Sequence, residues 1–243
     1  MDRFKVLSTK RLNPTLVQQA GEAGVEVLER DFISIEPIVS DEVYTEIKPW
    51  LHRSETTYAV FTSANGVEAV KPYLQREGVS SLPHWKVFCI SGKTKELIAA
   101  TLPGTEILAT AEYGAALAQH IRAQGAVQEV VFFCGNKRRE ELPTILKAAD
   151  ITVHEIIVYR TEETPSKVEE DFDAVLFYSP SGVSSFFAAN QLKKDAVCFA
   201  IGRTTAEAVA ACTHNQIITP ATTSPEAMLA AVQHYVHTIN CKK

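Results

Sequence analysis

The 243-residue chain lacks several features that would assign its chemistry quickly. No apolar run approaches the roughly eighteen residues of a membrane span, and the start MDRFKVLSTK carries no apolar stretch of the signal-peptide kind. A cytoplasmic protein with no membrane partner is therefore expected. Basic charge is also short: 24 Lys and Arg stand against 29 Asp and Glu, a net charge of -5. That balance argues against nucleic acid as a partner, and it leaves any anionic ligand to be held by local donors against the long-range field. GxSxG, HExxH and GxGxxG are all missing, so any reaction is expected to run without metal or dinucleotide, and no cofactor is implied. SGKT (91–94) resembles the tail of a phosphate-binding loop. The glycine that motif needs five residues before Gly92 is instead Val87, so a kinase or nucleotidase is excluded.

Cysteine is scarce and unpaired in pattern. Cys89, Cys134, Cys198, Cys212 and Cys241 form an odd set without CxxC, and three of them sit in the apolar runs KVFCI, EVVFFC and AVCFAI. They read as reduced, core-strand thiols rather than nucleophiles. His234, His237 and Cys241 share one face of the last helical segment, but no second ligand cluster accompanies them, and a solvated tail is the expectation.

What is present is an ordinary globular balance, 46% hydrophobic and 22% charged, over a length of about one and a half average domains. Apolar runs of strand length alternate with segments of helical period, the signature of α/β folds with parallel sheets. Strands are expected at 4–8, 25–29, 58–62, 86–90, 129–134, 173–178 and 196–201. Helices are expected to begin near Pro14, Asn65, Thr94, Tyr113, Arg138, Ser181, Thr204 and Ser224, with TSPEAML (223–229) as a capping-box pattern. Two stretches differ from the rest, DFISIEPIV (31–39) and ITVHEIIVYRTEE (151–163). They are β-rich with no helix expected immediately after, and they could pair as a ribbon between two lobes.

An internal repeat points to two similar lobes. FTSANGV (61–67) matches FYSPSGV (177–183), and FCISGKT (88–94) matches CFAIGRT (198–204). The repeats lie where a strand gives way to a helix, the edge at which open parallel sheets bind ligands. Hydroxyls and backbone N–H groups at such starts suit carboxylate or phosphate, although each turn alone is explained by helix capping. The basic run NKRRE (136–140) and the pair Lys10 and Arg11 likewise follow strands. Two function classes stay open on these grounds: an enzyme working without cofactor, or a non-catalytic two-lobe binder of a small polyanion.

VLSTKR, GVEV, SIEP, VFTSANGV, FFCGNKRREEL, EIIVYRT, LFYSPSGV and AIGRTTAEAV, in this order, resemble uroporphyrinogen-III synthase over nearly the whole chain. The resemblance implies two α/β lobes joined by a two-stranded β ladder. One lobe would comprise 1–35 with 165–243, the other 40–155, and the ladder 36–39 with 156–164. It implies a cofactor-free lyase, acting as a monomer on a linear tetrapyrrole polycarboxylate, hydroxymethylbilane. The product is uroporphyrinogen III, formed with inversion of the last pyrrole and loss of water. By motif, Tyr159 is the implied catalytic residue, a phenol of ordinary pKa that donates to departing hydroxide. The implied substrate-binding set is Lys10, Ser63, Asn65, Gly92, Thr94, Gly135, Arg139, Ser179, Ser181, Gly182, Gly202, Thr204 and Thr205. The counterpart of Thr205 in the other lobe falls at Lys95, so that donor is replaced there by an ammonium or by Thr94.

Overall fold

The computed structural model describes residues 3–76 and 84–241. The chain opens with β1 (Phe4–Ser8), α1 (Pro14–Glu22), β2 (Val25–Glu29) and β3 (Ile33–Pro37). It continues through α2 (Asp41–Leu51), β4 (Thr57–Phe61), α3 (Ala64–Arg76), β5 (Trp85–Ile90), α4 (Lys93–Thr101), β6 (Glu106–Ala111) and α5 (Gly114–Ala123). Next come β7 (Glu129–Gly135), α6 (Glu141–Lys147), β8 (Thr152–Glu163), β9 (Ala174–Phe177) and α7 (Pro180–Ala189). The last elements are β10 (Val197–Ala200), α8 (Arg203–Cys212), β11 (Ile217–Ile218) and α9 (Pro225–Asn240). These form two compact units, Met1–Ser34 with Glu162–Lys243, and Ile35–Thr161. The chain passes between them at two points, one within β3 and one within β8.

The first unit holds a parallel sheet of order β11-β10-β9-β1-β2. Its central strands AVLF (174–177) and VCFA (197–200) are buried at every position, because helices cover both faces and neither face meets water. One face packs Val6, Leu176 and Phe199 against Ala20 of α1 and Met228 and Val232 of α9. The other packs Leu7, Val175 and Phe177 against Phe186 of α7 and Val209 of α8.

The second unit repeats this plan. Strands β8-β7-β4-β5-β6 are parallel, with β3 added outside β8. α2, α3 and α4 cover one face through Ile47, Val70 and Ile98; α5 and α6 cover the other through Leu117 and Leu146. Matching β4 to β9 carries β5 to β10, β6 to β11, β7 to β1 and β8 to β2. The helices after matched strands fall on matched faces, so the FTSANGV/FYSPSGV repeat marks equivalent strand–helix turns.

Several local expectations are corrected. The stretch 31–39 leads directly into helix α2, which Ser40 caps by accepting from Val43 N at 3.3 Å. The signal was present in Ser-Asp-Glu but was masked by the prolines flanking it, Pro37 and Pro49. At 223–229 the cap is Ser224, not Thr223; it accepts from Ala227 N at 3.1 Å, which puts Glu226 one place short of a reciprocal box. The helix expected near Arg138 starts at Glu141, and β6 over EILATA is an additional strand.

The structure makes opposite predictions for two helical glycines. A Cβ at Gly66 would lie 2.9 Å from the Phe133 carbonyl oxygen, a backbone atom that cannot swing aside. Gly66→Ala should destabilise by about 1–3 kcal/mol. At Gly21 nothing lies within 4 Å, so Gly21→Ala should stabilise by about 0.5–1 kcal/mol through helix propensity. Thermal melts of the two variants check the signs.

Candidate functional site

At the carboxyl ends of the second unit's strands lies a recess of about 310 Å³. Ser63 follows β4, Ile90 ends β5, Glu112 and Tyr113 follow β6, and Lys137, Arg138 and Arg139 follow β7. Tyr159 of β8 completes the wall, with Phe132 and Leu142 beneath. Ligands of open parallel sheets bind at this edge because strand ends and helix starts present donors there without disturbing the ladder.

Tyr159 is held by three features. The pairing of β7 with β8 runs residue for residue from Glu129 and Thr152 to Cys134 and Ile157, then slips so that Gly135 meets Tyr159. One extra residue, Val158, is absorbed there and stays buried in the core. Slips of this kind re-aim the next side chain. Gly135 supplies the seat: a Cβ there would overlap the Tyr159 ring and stand 2.9 Å from its Oη. Asn136 then fastens the far side. Its Oδ1 accepts from Thr161 N at 2.8 Å, its Nδ2 donates to Thr161 O at 3.3 Å, and its own N donates to Tyr159 O at 3.3 Å. Burial pushes the Tyr159 phenol above its usual pKa, opposed by hydrogen bonding with Ser63. This corrects the expectation of an ordinary value, and it keeps the group a proton donor over a wider pH range.

The three basic residues of the loop do different work. Arg138 is committed to structure: its Nε binds Glu155, and its Nη2 lies 3.4 Å from Glu140. Glu155 is also held by Lys147 at 3.0 Å, and these cations keep its carboxyl below the usual range despite burial. Lys137 and Arg139 line the recess. Ser63 and Ser179 each cap a helix, accepting from Asn65 N at 3.2 Å and Gly182 N at 3.1 Å. Their hydroxyl protons are not used by the caps.

Of the expected residues, Ser63, Gly135, Arg139 and Tyr159 therefore meet at one place, with Asn65 joined through Ser63. Gly92 and Thr94 do not line the recess. Gly92 is exposed at φ 71°, in the left-handed region glycine favours, whereas Gly202 is extended. These two glycines are thus not equivalent. Strand pairing places Cys89 opposite Phe61 and Ala200 opposite Phe177, so five residues further on Thr94 matches Thr205. Both are buried, at 5% and 3% exposure, and Lys95 is exposed. The assignment of Lys95 as counterpart is overturned; the threonine is kept in both units.

In the first unit the Lys10 ammonium lies over the Tyr178 ring at 4.3 Å from its centre. Ser179, Gly182 and Thr9 are close neighbours: a Cβ on Gly182 would be 3.4 Å from Ser179 Oγ and 3.7 Å from Thr9 Oγ1. Thr9 Oγ1 donates to Leu176 O at 2.8 Å. Ser181 and Thr204 are half-buried in the first turns of α7 and α8, and Thr223 packs beside Gly202. Sequence reasoning missed Asn136, Glu155 and Tyr113 as parts of the site. Tyr113 had one signal: it precedes a helix where Ser, Thr, Asn or Asp normally caps, and its side chain makes no cap.

Burial pushes the thiols up, to about 11 for Cys89 and about 12 for Cys134 and Cys198, so none is a thiolate near neutrality. Cys89, Cys134 and Cys198 are buried in their strands, whereas Cys212 and Cys241 are exposed, the latter at the end of the last helix. Among the described residues no three His, Cys, Asp or Glu side chains are grouped to hold a metal, and no helix is long and apolar enough to cross a membrane.

Gly135→Ala should force the Tyr159 ring toward water and return its pKa toward 10.0, as read by ultraviolet difference titration against Tyr159→Phe. The sign follows from linkage. The raised value contributes stability that is intact below about pH 10 and lost as pH rises through the folded value. Tyr159→Phe should remove that alkaline loss; an unchanged alkaline melting profile would contradict the burial.

A family model described as uroporphyrinogen-III synthase HemD matches residues 14–230. No curated protein matches the chain in sequence. Among solved structures, the uroporphyrinogen-III synthetase of Helicobacter pylori 26695 is similar at 15% identity and a TM-score of 0.67, covering 96% of this chain and 99% of that one. A mutant uroporphyrinogen III synthase of the extremely thermophilic bacterium Thermus thermophilus is similar at 14% identity and a TM-score of 0.67, covering 98% and 99%. The wild-type Thermus enzyme in another crystal form gives 0.51 at 14% identity, covering 97% and 98%. Identities this low speak to the two-lobe α/β fold alone, and the family match leaves a non-catalytic polyanion binder without support. With the motif order, the duplicated sheets and a family model spanning most of its length in agreement, this chain belongs to the uroporphyrinogen-III synthase family.

Proposed function

We propose that the second-unit recess is where this synthase drives loss of the substrate's hydroxyl, with Tyr159 as the proton donor. The observation that carries this reading is the placement of a half-buried phenol beside Ser63, in a recess also lined by cationic Lys137 and Arg139, at the ligand-binding edge of the sheet. The family's reaction closes hydroxymethylbilane to uroporphyrinogen III without a cofactor. Pyrrole nitrogen lone-pair density expels hydroxide from the hydroxymethyl carbon, leaving a cationic azafulvene. Tyr159 gives its proton to the departing hydroxide, and water leaves. The last ring attacks through its substituted carbon, the spiro intermediate fragments, and reclosure inverts that ring. Proton loss then restores aromaticity, and the Tyr159 phenolate takes that proton back.

A phenol displaced upward by burial is a weaker acid than a free one, yet water, the acid formed, has a pKa of about 15.7. Transfer from Tyr159 to hydroxide is therefore downhill. Closure without inversion is intrinsically easy, so the larger task is holding one substrate geometry. Lys10, Ser179, Ser181, Gly182, Gly202, Thr204 and Thr205 of the first unit, with Asn65, Gly92 and Thr94 of the second, form the wider set proposed to hold carboxylates. Gly135 serves instead as the seat of Tyr159. The segments 36–39 and 156–164 are proposed as the ladder joining the lobes, the protein as a monomer, and its compartment as the cytoplasm. Sparse exposed apolar side chains among the described residues favour the monomer.

Freshly made hydroxymethylbilane should give predominantly type III product after incubation with the protein and oxidation to porphyrins. Only type I product at the spontaneous rate, from folded protein, would overturn the reading. Tyr159→Phe should keep the fold and lower turnover by roughly ten- to a hundredfold. Unchanged turnover would reduce Tyr159 to a packing residue.

A further inference from the structure

We propose that the recess takes a single pyrrole unit of the substrate, the one bearing the hydroxymethyl carbon, with Tyr113 as its aromatic platform. The inference rests on the synthase reading and adds the part of the substrate bound and a residue that selects it. A volume of about 310 Å³ falls at the bottom of the range for small-molecule sites, roughly 300–1,000 Å³. A tetrapyrrole with all its side arms does not fit such a space, whereas one ring with its carboxylate arms does.

The lining divides into an apolar part and a charged part in which three cations, Lys137, Arg138 and Arg139, outnumber Glu112 and Glu141. Ile90, Phe132 and Leu142 form an apolar floor, and Phe132 and Leu142 are almost wholly buried. Tyr113 is 56% exposed, an unusual position for a large aromatic side chain in a cap position where it caps nothing. Gly114 beside it carries no side chain to fill the space. Flat π faces stack in offset or tilted arrangements, so an exposed aromatic ring beside the recess suits a flat pyrrole. Lys137, Arg138 and Arg139 line the recess and supply the positive charge that carboxylate arms need, Arg138 with its direction set by Glu155. Tyr159 lines the same recess, within reach of a hydroxymethyl group on the bound ring. The other pyrroles then lie outside this recess.

Two measurements test the proposal. The first is amide-shift mapping with a monopyrrole carrying acetate and propionate arms, at about 10 mM so that even millimolar affinity registers. Shifts centred on 62–63, 112–114, 137–142 and 159 are expected. Their absence, or shifts centred elsewhere, would overturn a pyrrole site here. The second is Tyr113→Ala, which should raise KM for hydroxymethylbilane roughly tenfold, with Tyr113→Phe close to wild type. Equal KM in the alanine variant would overturn the platform. Tyr113 is exposed, so folding is not at stake. Failure of the wild-type protein to make type III product would sink the synthase reading, whereas the monopyrrole mapping would still decide whether this recess holds a pyrrole.

Discussion

The site depends on one slip in strand register. Up to Cys134 and Ile157 the β7–β8 ladder is regular, and continuing it would pair Gly135 with Val158. Val158 and Ile156 belong to the core, so a regular ladder would leave Tyr159 directed by simple alternation. The extra residue changes that direction, glycine removes the atom that would block the ring, and Asn136 ties both strands together beyond it. Three sequence features that look unrelated, Gly-Asn after a strand, a tyrosine in a long strand and a threonine two places later, are thus one device. Its product is a phenol held partly out of water beside a serine.

Around that device the scaffold is a duplicated sheet with helices on both faces. The central strands β9 and β10 are apolar throughout because neither face meets water, and the hydroxyl and basic groups of the candidate site gather at strand ends. Those ends carry the groups proposed to bind substrate. The overall charge of -5 repels a polycarboxylate, so attraction must come at short range, and the proposed sources are Lys137, Arg139, helix starts and hydroxyls. Glu155 shows how the fold provides this. Half-buried on β8 and paired with Arg138 and Lys147, it spends one cation of the basic run to fix the direction of its neighbours.

Much of this was legible in the sequence where spacing alone carried the signal. Fully apolar strands, serines capping α7 and α9, and the repeated turn after β4 and β9 could be placed because their geometry is local. Helix α2 was lost between prolines, and β6 was lost because EILATA is too weakly apolar to stand out. The matching of Thr205 to Lys95 failed for a different reason. Two glycines of unlike backbone conformation were taken as equivalent, which left Lys95 and Thr94 both open, and strand pairing decides for Thr94. Asn136, Glu155 and Tyr113 act through contacts across strands or around a recess, which no linear pattern records.

The central claim is that Asn136 acts on the reaction through Tyr159. A double-mutant cycle with Asn136→Ala and Tyr159→Phe, read as turnover of hydroxymethylbilane, tests it most directly. The account predicts that Asn136→Ala slows the wild-type enzyme but has little further effect once the phenol is gone. Full additivity of the two losses would contradict it.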